Sequence, residues 1–189
     1  EWEFGFDTNV LYGRLAFEAT YYHQKTRDAI TASNLAPSLG FPGAIVTNVG
    51  EVVNEGFEFG LDANAISVPD LSWDWRVSLT TNHGEITELD APIQVGADAF
   101  FNQEHREGFP FAAYFEEPVT LDSDGNPVIG DEAVFLGHPT PEWDGSLSST
   151  INLFEHVTLY GLLDFSGGHH MVNGTEQFMC AFLGGGGVG

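Results

Sequence analysis

Asn48-Val-Gly-Glu-Val-Val-Asn-Glu-Gly-Phe-Glu-Phe-Gly-Leu-Asp-Ala-Asn-Ala-Ile66 is the stretch whose reading decides the fold. Its second half alternates without a slip. Phe57, Phe59, Leu61, Ala63 and Ala65 fall on one side of an extended strand, and Glu58, Gly60, Asp62 and Asn64 on the other, because successive side chains of a strand point to opposite faces. A strand of a soluble sandwich reads similarly but usually lasts about 5 to 6 residues. This run lasts about ten, the length a tilted strand needs to cross a bilayer. The spacing therefore predicts a strand with one apolar and one polar face, and poses the question of which face meets lipid.

Working outward, the same rhythm recurs on both sides. Upstream, Trp2, Phe4, Phe6 and Thr8 alternate with Glu3, Gly5 and Asp7, and after turn material at Asn9 to Gly13 the set Leu15, Phe17, Ala19 and Tyr21 faces away from Arg14, Glu18, Thr20 and Tyr22. The short connection predicts an antiparallel hairpin. Residues 25 to about 54 hold Pro37, Gly40, Pro42 and Gly43 among Ser, Thr and Asn, a long loop by composition. Downstream of the tight Ser67 to Asp70 connection, Trp73, Trp75, Val77 and Leu79 alternate with Asp74, Arg76, Ser78 and Thr80, the paired tryptophans suiting an interfacial belt. The segment from Gly84 to Trp143 carries six prolines and many acidic residues, an irregular region of unusual length that points to a working loop. Two more alternating runs, 146–153 and 157–165, flank a turn at Phe154-Glu155, and beyond Ser166 the chain reads as loop. No helix-period segment of useful length stands out.

Six strands joined short, long, short, long, short have the asymmetry of outer-membrane barrels, whose periplasmic turns are tight and whose extracellular loops are extended. The expected fold is all-β: an antiparallel transmembrane β-barrel segment of about six strands, one partial domain over residues 1–189. Single-chain barrels of this type start at about eight strands, so open edges require neighbours. The chain starts at Glu1 without an initiator Met and stops at a glycine-rich run, which reads as a fragment or processed piece of something larger.

Composition narrows the function. A 42% apolar content with 16 Phe, 5 Tyr and 4 Trp is too rich for a disordered tail. Five Lys and Arg against 28 Asp and Glu give a formal charge of −23, which repels phosphate backbones, argues against nucleic acid and favours neutral or cationic partners. The lone Cys180 forms no internal disulfide, and no CxxC or Cys/His cluster suggests zinc. The absence of an apolar run of about 18 residues argues against a transmembrane helix but not against a barrel.

The wording adds to the rhythm. N-V-G-E-V-V-N-E-G-F-E-F at 48–59 resembles the N-x-G-E-x-x-N-x-G-x-E segment of the SusC/RagA family of TonB-linked outer-membrane transporters. E-F-G-F-D (3–7), L-A-F-E-A-T-Y-Y (15–22), L-A-P-S-L-G-F (35–41), G-F-P-F-A-A-Y-F (108–115), F-L-G-H-P-T-P-E-W (135–143) and L-L-D-F-S-G-G-H-H-M-V-N-G-T (162–175) follow in that family's order. The resemblance covers nearly the whole chain and a late part of such a barrel, without its plug or TonB box. It implies part of a plugged barrel of about 22 strands set in outer-membrane lipid. It further implies import of oligosaccharides or peptides under a SusD-like surface lipoprotein, with energy from TonB acting through regions outside this chain. Two other classes stay open: a barrel-derived structural or binding component that transports nothing, and a soluble all-β carbohydrate-binding domain, which detergent dependence would distinguish.

Alternation alone selects Glu58, Asp62, Asn64, Arg76 and Asp164 as candidates to line a substrate path, and loop aromatics Phe100, Phe101, Phe109, Phe111, Tyr114 and Phe115 as candidate stacking contacts. Asp122, Asp124, Asn126 and Asp131 form a candidate calcium loop, since hard cations want clustered oxygens. Pro127 stands where the turn Gly of an EF-hand belongs and Ala133 where its Glu belongs, so D-G-N-P also reads as a hairpin turn. No other cofactor is expected. His169 and His170 adjoin in a Gly-flanked segment, but neighbours in extended chain point apart. Asn173-Gly174-Thr175 fits a glycosylation sequon, discounted on a bacterial resemblance. The sequence holds no Gly-x-Ser-x-Gly, HExxH or phosphate loop, and its carboxylates are too scattered to single out an acid and base pair, so an enzyme is not expected.

Overall fold

A computed structural model of the chain describes residues 1–28, 30–34, 44–48, 50–89, 91–95, 103–154 and 156–183. In chain order its elements are β1 (Trp2–Val10), β2 (Leu15–Arg27), β3 (Ile30–Asn34), β4 (Ala44–Asn48), β5 (Glu51–Val68), β6 (Leu71–Glu88), β7 (Ile93–Gln94), β8 (Gln103–His105), β9 (Ala113–Glu116), β10 (Val119–Leu121), β11 (Pro127–Ile129), β12 (Val134–Gly137), β13 (Trp143–Leu153), β14 (Val157–Gly167) and one helix, α1 (Gly174–Leu183). Two compact units share them.

The first unit, Glu1–Arg27, Val52–Glu85 and Pro141–Gly168, is built on one sheet ordered β1-β2-β5-β6-β13-β14, the six strands expected from alternation, each beside its neighbour in sequence. Nine residue pairs register β1 on β2, from Trp2 opposite His23 to Val10 opposite Leu15. Eleven register β13 on each of β6 and β14. Leu11 and Tyr12 close the first hairpin with φ of 53° and 58°, a left-handed conformation that costs non-glycine residues energy, and Gly13 at φ 80° completes the reversal. On β13, a Cβ at Gly145 would stand 2.7 Å from the Phe165 ring, so glycine lets the aromatic lie flat on the strand.

This sheet has an apolar face and almost no core. Trp2, Phe4, Phe6, Phe57, Leu79, Trp143, Leu159, Leu163 and Phe165 are all exposed, Phe4 to 69%. A water-soluble sheet with so apolar a face would bury it against a second layer.

In the second unit, Asp28–Glu51, Ile86–Thr140 and His169–Gly189, the segments read as loop contain structure of their own. β3 pairs with β4, β10 with β11, and β7, β8, β9 and β12 form a four-stranded sheet ordered β12-β9-β8-β7. Ile86, Leu89 and Ile93 make a small core, with Ala113 and Phe115 also buried. The expectation of loop from 25 to 54 and from 84 to 143 is corrected accordingly: strands of two to five residues are too short for periodicity to register. The expectation of loop after Ser166 is corrected by α1. Asn173 Oδ1 accepts from the Glu176 amide at 3.2 Å while Asn173 Nδ2 donates to Glu176 Oε2 at 3.2 Å, a reciprocal cap at the helix start. The segment L-A-P-S-L-G-F lies outside the described residues, as do Phe100 and Phe101.

Candidate functional site

The polar face of the six-stranded sheet gathers side chains from several strands. Arg76 on β6 grips Asp62 on β5 with two bonds, Nε to Oδ1 at 2.5 Å and Nη2 to Oδ2 at 3.2 Å, the fork geometry that a guanidinium offers a carboxylate. Beside them Asn64 Nδ2 donates to Asp74 Oδ1 at 2.6 Å. Hydroxyls continue the wall: Ser78 and Ser146 meet at 2.9 Å, Asn152 Nδ2 donates to Ser72 Oγ at 2.9 Å, and Thr158 Oγ1 donates to Asn152 Oδ1 at 2.8 Å. Tyr22 donates to Asn82 Oδ1 at 2.9 Å. Alternation puts all these groups on one side because their strands are registered pair by pair.

Two shallow depressions mark this face. One of about 460 Å³ is lined by Asp62, Asp74, Arg76, Ser146, Tyr160 and Leu162, and another of about 510 Å³ includes Ser78, Asp144, Ser146 and Asp164. The structure thus brings Asp62, Asn64 and Arg76 into one network and sets Asp164 beside Ser78; Glu58 is exposed on the same face. Tyr160 joins the first depression with an exposed ring, and its position opposite Thr150 in the β13–β14 register is the signal that could have nominated it. Open carboxylates, hydroxyls and one aromatic ring can hold hydroxylated or amide-bearing molecules weakly and reversibly.

The opposite face is a run of ring contacts. Phe6 meets Phe17 at 5.3 Å, Phe17 meets Phe59 edge-on at 4.9 Å, Tyr21 meets Phe57 at 4.8 Å, and Trp143 meets Phe165 at 6.2 Å. Trp73 and Trp75 lie 5.1 Å apart, and Trp73 Nε1 donates to Ser149 Oγ at 2.9 Å, so even this indole N–H is satisfied within the sheet.

Within the second unit, the loop aromatics divide. Phe115 is 4% exposed, enclosed by Phe109 at 5.0 Å, Phe135 at 5.9 Å and the Arg106 guanidinium 3.9 Å above its ring. Its ring, with that of Phe109, is engaged in packing. Phe111 stays exposed and stands edge-on to His105, while Tyr114 sits half-buried on β9. Glu104 holds Arg106 at 2.6 Å and Gln94 at 2.6 Å. Burial holds the His105 imidazole below its ordinary pKa, and its Nδ1 accepts the Ala112 amide at 3.2 Å.

At the tip of the β10–β11 hairpin, Asp122 Oδ1 accepts the amides of Asp124 at 2.9 Å and Asn126 at 2.8 Å, with Gly125 at φ 83°. These bonds hold the Asp122 carboxyl below its usual range, and they make D-G-N-P the hairpin turn of the alternative reading. Among the described residues no group of three or more His, Cys, Asp and Glu is arranged to hold a metal, and no helix is long and apolar enough to cross a membrane. His170 is tied through its amide to the His138 carbonyl at 2.8 Å.

Comparison with known proteins places this geometry. The family described as TonB dependent receptor-like, beta-barrel, matches residues 1–177. The TonB-dependent receptor SusC of Bacteroides thetaiotaomicron is 28% identical over 138 residues, 67% of this chain and 14% of that protein. TonB-dependent receptor P26 of Formosa agariphila is 24% identical over 204 residues, 91% of this chain and 20% of that protein. Among solved structures, the RagAB peptide transporter superposes with a TM-score of 0.73 at 19% identity, covering 88% of this chain and 20% of that one. The chain therefore spans 14% to 20% of the length of these curated relatives.

Proposed function

The chain belongs to the TonB-dependent receptor β-barrel family, of the SusC/RagA kind, and from that premise we propose that it is a stretch of wall of an outer-membrane importer. The apolar face meets lipid and the polar face lines the path of an oligosaccharide or peptide. The observation that carries this reading is the segregation of rings and carboxylates onto opposite faces of six registered strands, with the apolar face left exposed. Lipid takes the place of the second layer that a soluble sheet would require. Three hairpins with short turns leave the sheet at one end, while both long connections leave at the other, which supports periplasmic turns and extracellular long connections. A SusD-like lipoprotein would close over that side, and TonB would supply energy through regions outside this chain. The relatives belong to a transporter and receptor family, and no enzymatic chemistry is assigned.

Uptake tests the reading. In the full-length receptor, Asp62→Cys and Leu61→Cys are each modified with a bulky maleimide. Import of the receptor's oligosaccharide or peptide should fall severalfold for modified Asp62→Cys and stay unchanged for Leu61→Cys. Equal import by both labelled variants would refute the assignment of the path.

A further inference from the structure

The apolar face of the sheet changes character abruptly at the end from which the long connections leave. Phe4 and Tyr21 stand opposite each other, Tyr21 touches Phe57, and the Phe57 amide reaches Thr81, itself opposite Trp143. One step further along the strands on the same face come Trp2, opposite His23, then Glu55 and His83. Here a carboxylate and two imidazoles sit directly above an aromatic row, on a face otherwise given to hydrocarbon.

Glu55 is held in place. Its Oε2 accepts the Tyr21 hydroxyl at 2.9 Å and lies 3.2 Å from His23 Nδ1, whose ring stacks on Trp2 at 5.0 Å. Oε1 has no protein donor among the described residues, although an ionised carboxylate offers about four acceptor positions. The side chain lines a depression of about 300 Å³ together with Tyr21, Phe57, Thr81, His83 and Glu142. His83 Nε2 lies 3.7 Å from Glu85, which adds further negative charge at the rim.

We infer that this depression is a site on the outer wall for the hydroxyl-rich, uncharged headgroup of a membrane glycolipid. The inference rests on the proposed outward orientation of the apolar face. Sugar hydroxyls would donate to the open side of Glu55 and exchange bonds with His83 and Thr81, while the acyl chains lie along Phe57, Phe59 and Leu61 below. Aromatic rows of this type sit at headgroup level, which sets the depth of the depression at the sugars and not at the hydrocarbon. A phosphate headgroup fits poorly, because Glu55, Glu85 and Glu142 would repel it.

The test uses the full-length receptor in zwitterionic detergent, titrated with diglucosyl diacylglycerol, with phosphatidylethanolamine and with free maltose, and read by native mass spectrometry. Retention of the glycolipid should exceed that of phosphatidylethanolamine at least tenfold, and free maltose should not compete. Glu55→Gln should lower glycolipid retention severalfold while Leu61→Ala does not remove the headgroup preference. If Glu55→Gln fails to assemble, His83→Ala serves in its place with the same expectation. Equal retention of the two lipids, or a preference untouched by both rim variants, overturns the inference and leaves the orientation standing. Displacement of the glycolipid by maltose overturns the outward orientation as well, since a sugar path would then lie on this face.

Discussion

Replacing Leu61 with arginine places a charge on the ring-lined face of β5, four residues from Phe57 at the upper aromatic row and four from Ala65 toward the turn. Four residues advance about 13 Å along a strand. At a tilt of about 40° this is about 10 Å of depth, close to the middle of an apolar band about 25 Å tall. A cation there costs about 2 to 4 kcal/mol, against about 0 to 1 near the interface. Asp62→Arg, one residue away, turns to the polar face. It removes an ion pair that is largely exposed on both sides, worth about 0 to 1 kcal/mol in water, and sets a like charge beside Arg76. The expected ratio of penalties is therefore at least twofold. Both variants of the full-length receptor would be unfolded by guanidinium in lipid vesicles, following Trp fluorescence. Equal penalties, or a larger one for Asp62→Arg, would refute the assignment of the two faces.

Phe115→Ala removes the buried ring under Arg106 and should cost about 3 to 5 kcal/mol within the second unit, seen as faster proteolysis between residues 103 and 137 with β5 and β6 still protected. Asn173→Ala should weaken α1 by about 0.5 to 2 kcal/mol, measured as faster amide exchange over residues 174–178, with Asn173→Ser restoring much of the protection. Burial lowers the His105 pKa, so the folded state binds its proton less readily than the unfolded one. The stability this carries is fully present above the ordinary imidazole value of about 6.5 and is lost as pH falls below it. Protection of the amides around Ala112, taken relative to the intrinsic exchange rate at each pH, should fall between pH 7.5 and 5.5 in the wild type, and the fall should vanish in His105→Gln.

The six long strands were legible because a half-buried strand of ten residues repeats its choice of face five times, so Phe57, Phe59 and Leu61 against Glu58, Gly60 and Asp62 leave no second register. Their true ends were not, since β5 begins at Glu51, where Glu51 and Glu55 interrupt the apolar face with charge. Asp62 and Arg76 lie fourteen residues apart, and only the turn at Pro69-Asp70 makes them neighbours, so alternation could put both on one face without showing that they bind each other. The small strands of the second unit carry two to five residues, and their order β12-β9-β8-β7 depends on contacts such as Phe109 with Phe135 that no local pattern records. Helix α1 left one readable mark, Asn173 three residues before Glu176, which the competing sequon obscured.

The central claim is that one sheet has lipid on one face and a watery path on the other. A cysteine scan of residues 57 to 64 in a full-length, cysteine-free receptor in vesicles tests it most directly, with each site probed by a water-soluble maleimide and, after labelling with a membrane-permeant fluorophore, by a brominated lipid quencher. The account predicts strict alternation: quenching by lipid at 57, 59, 61 and 63, and maleimide reactivity at 58, 60, 62 and 64. Uniform reactivity along the strand, or quenching at the even positions, would contradict it.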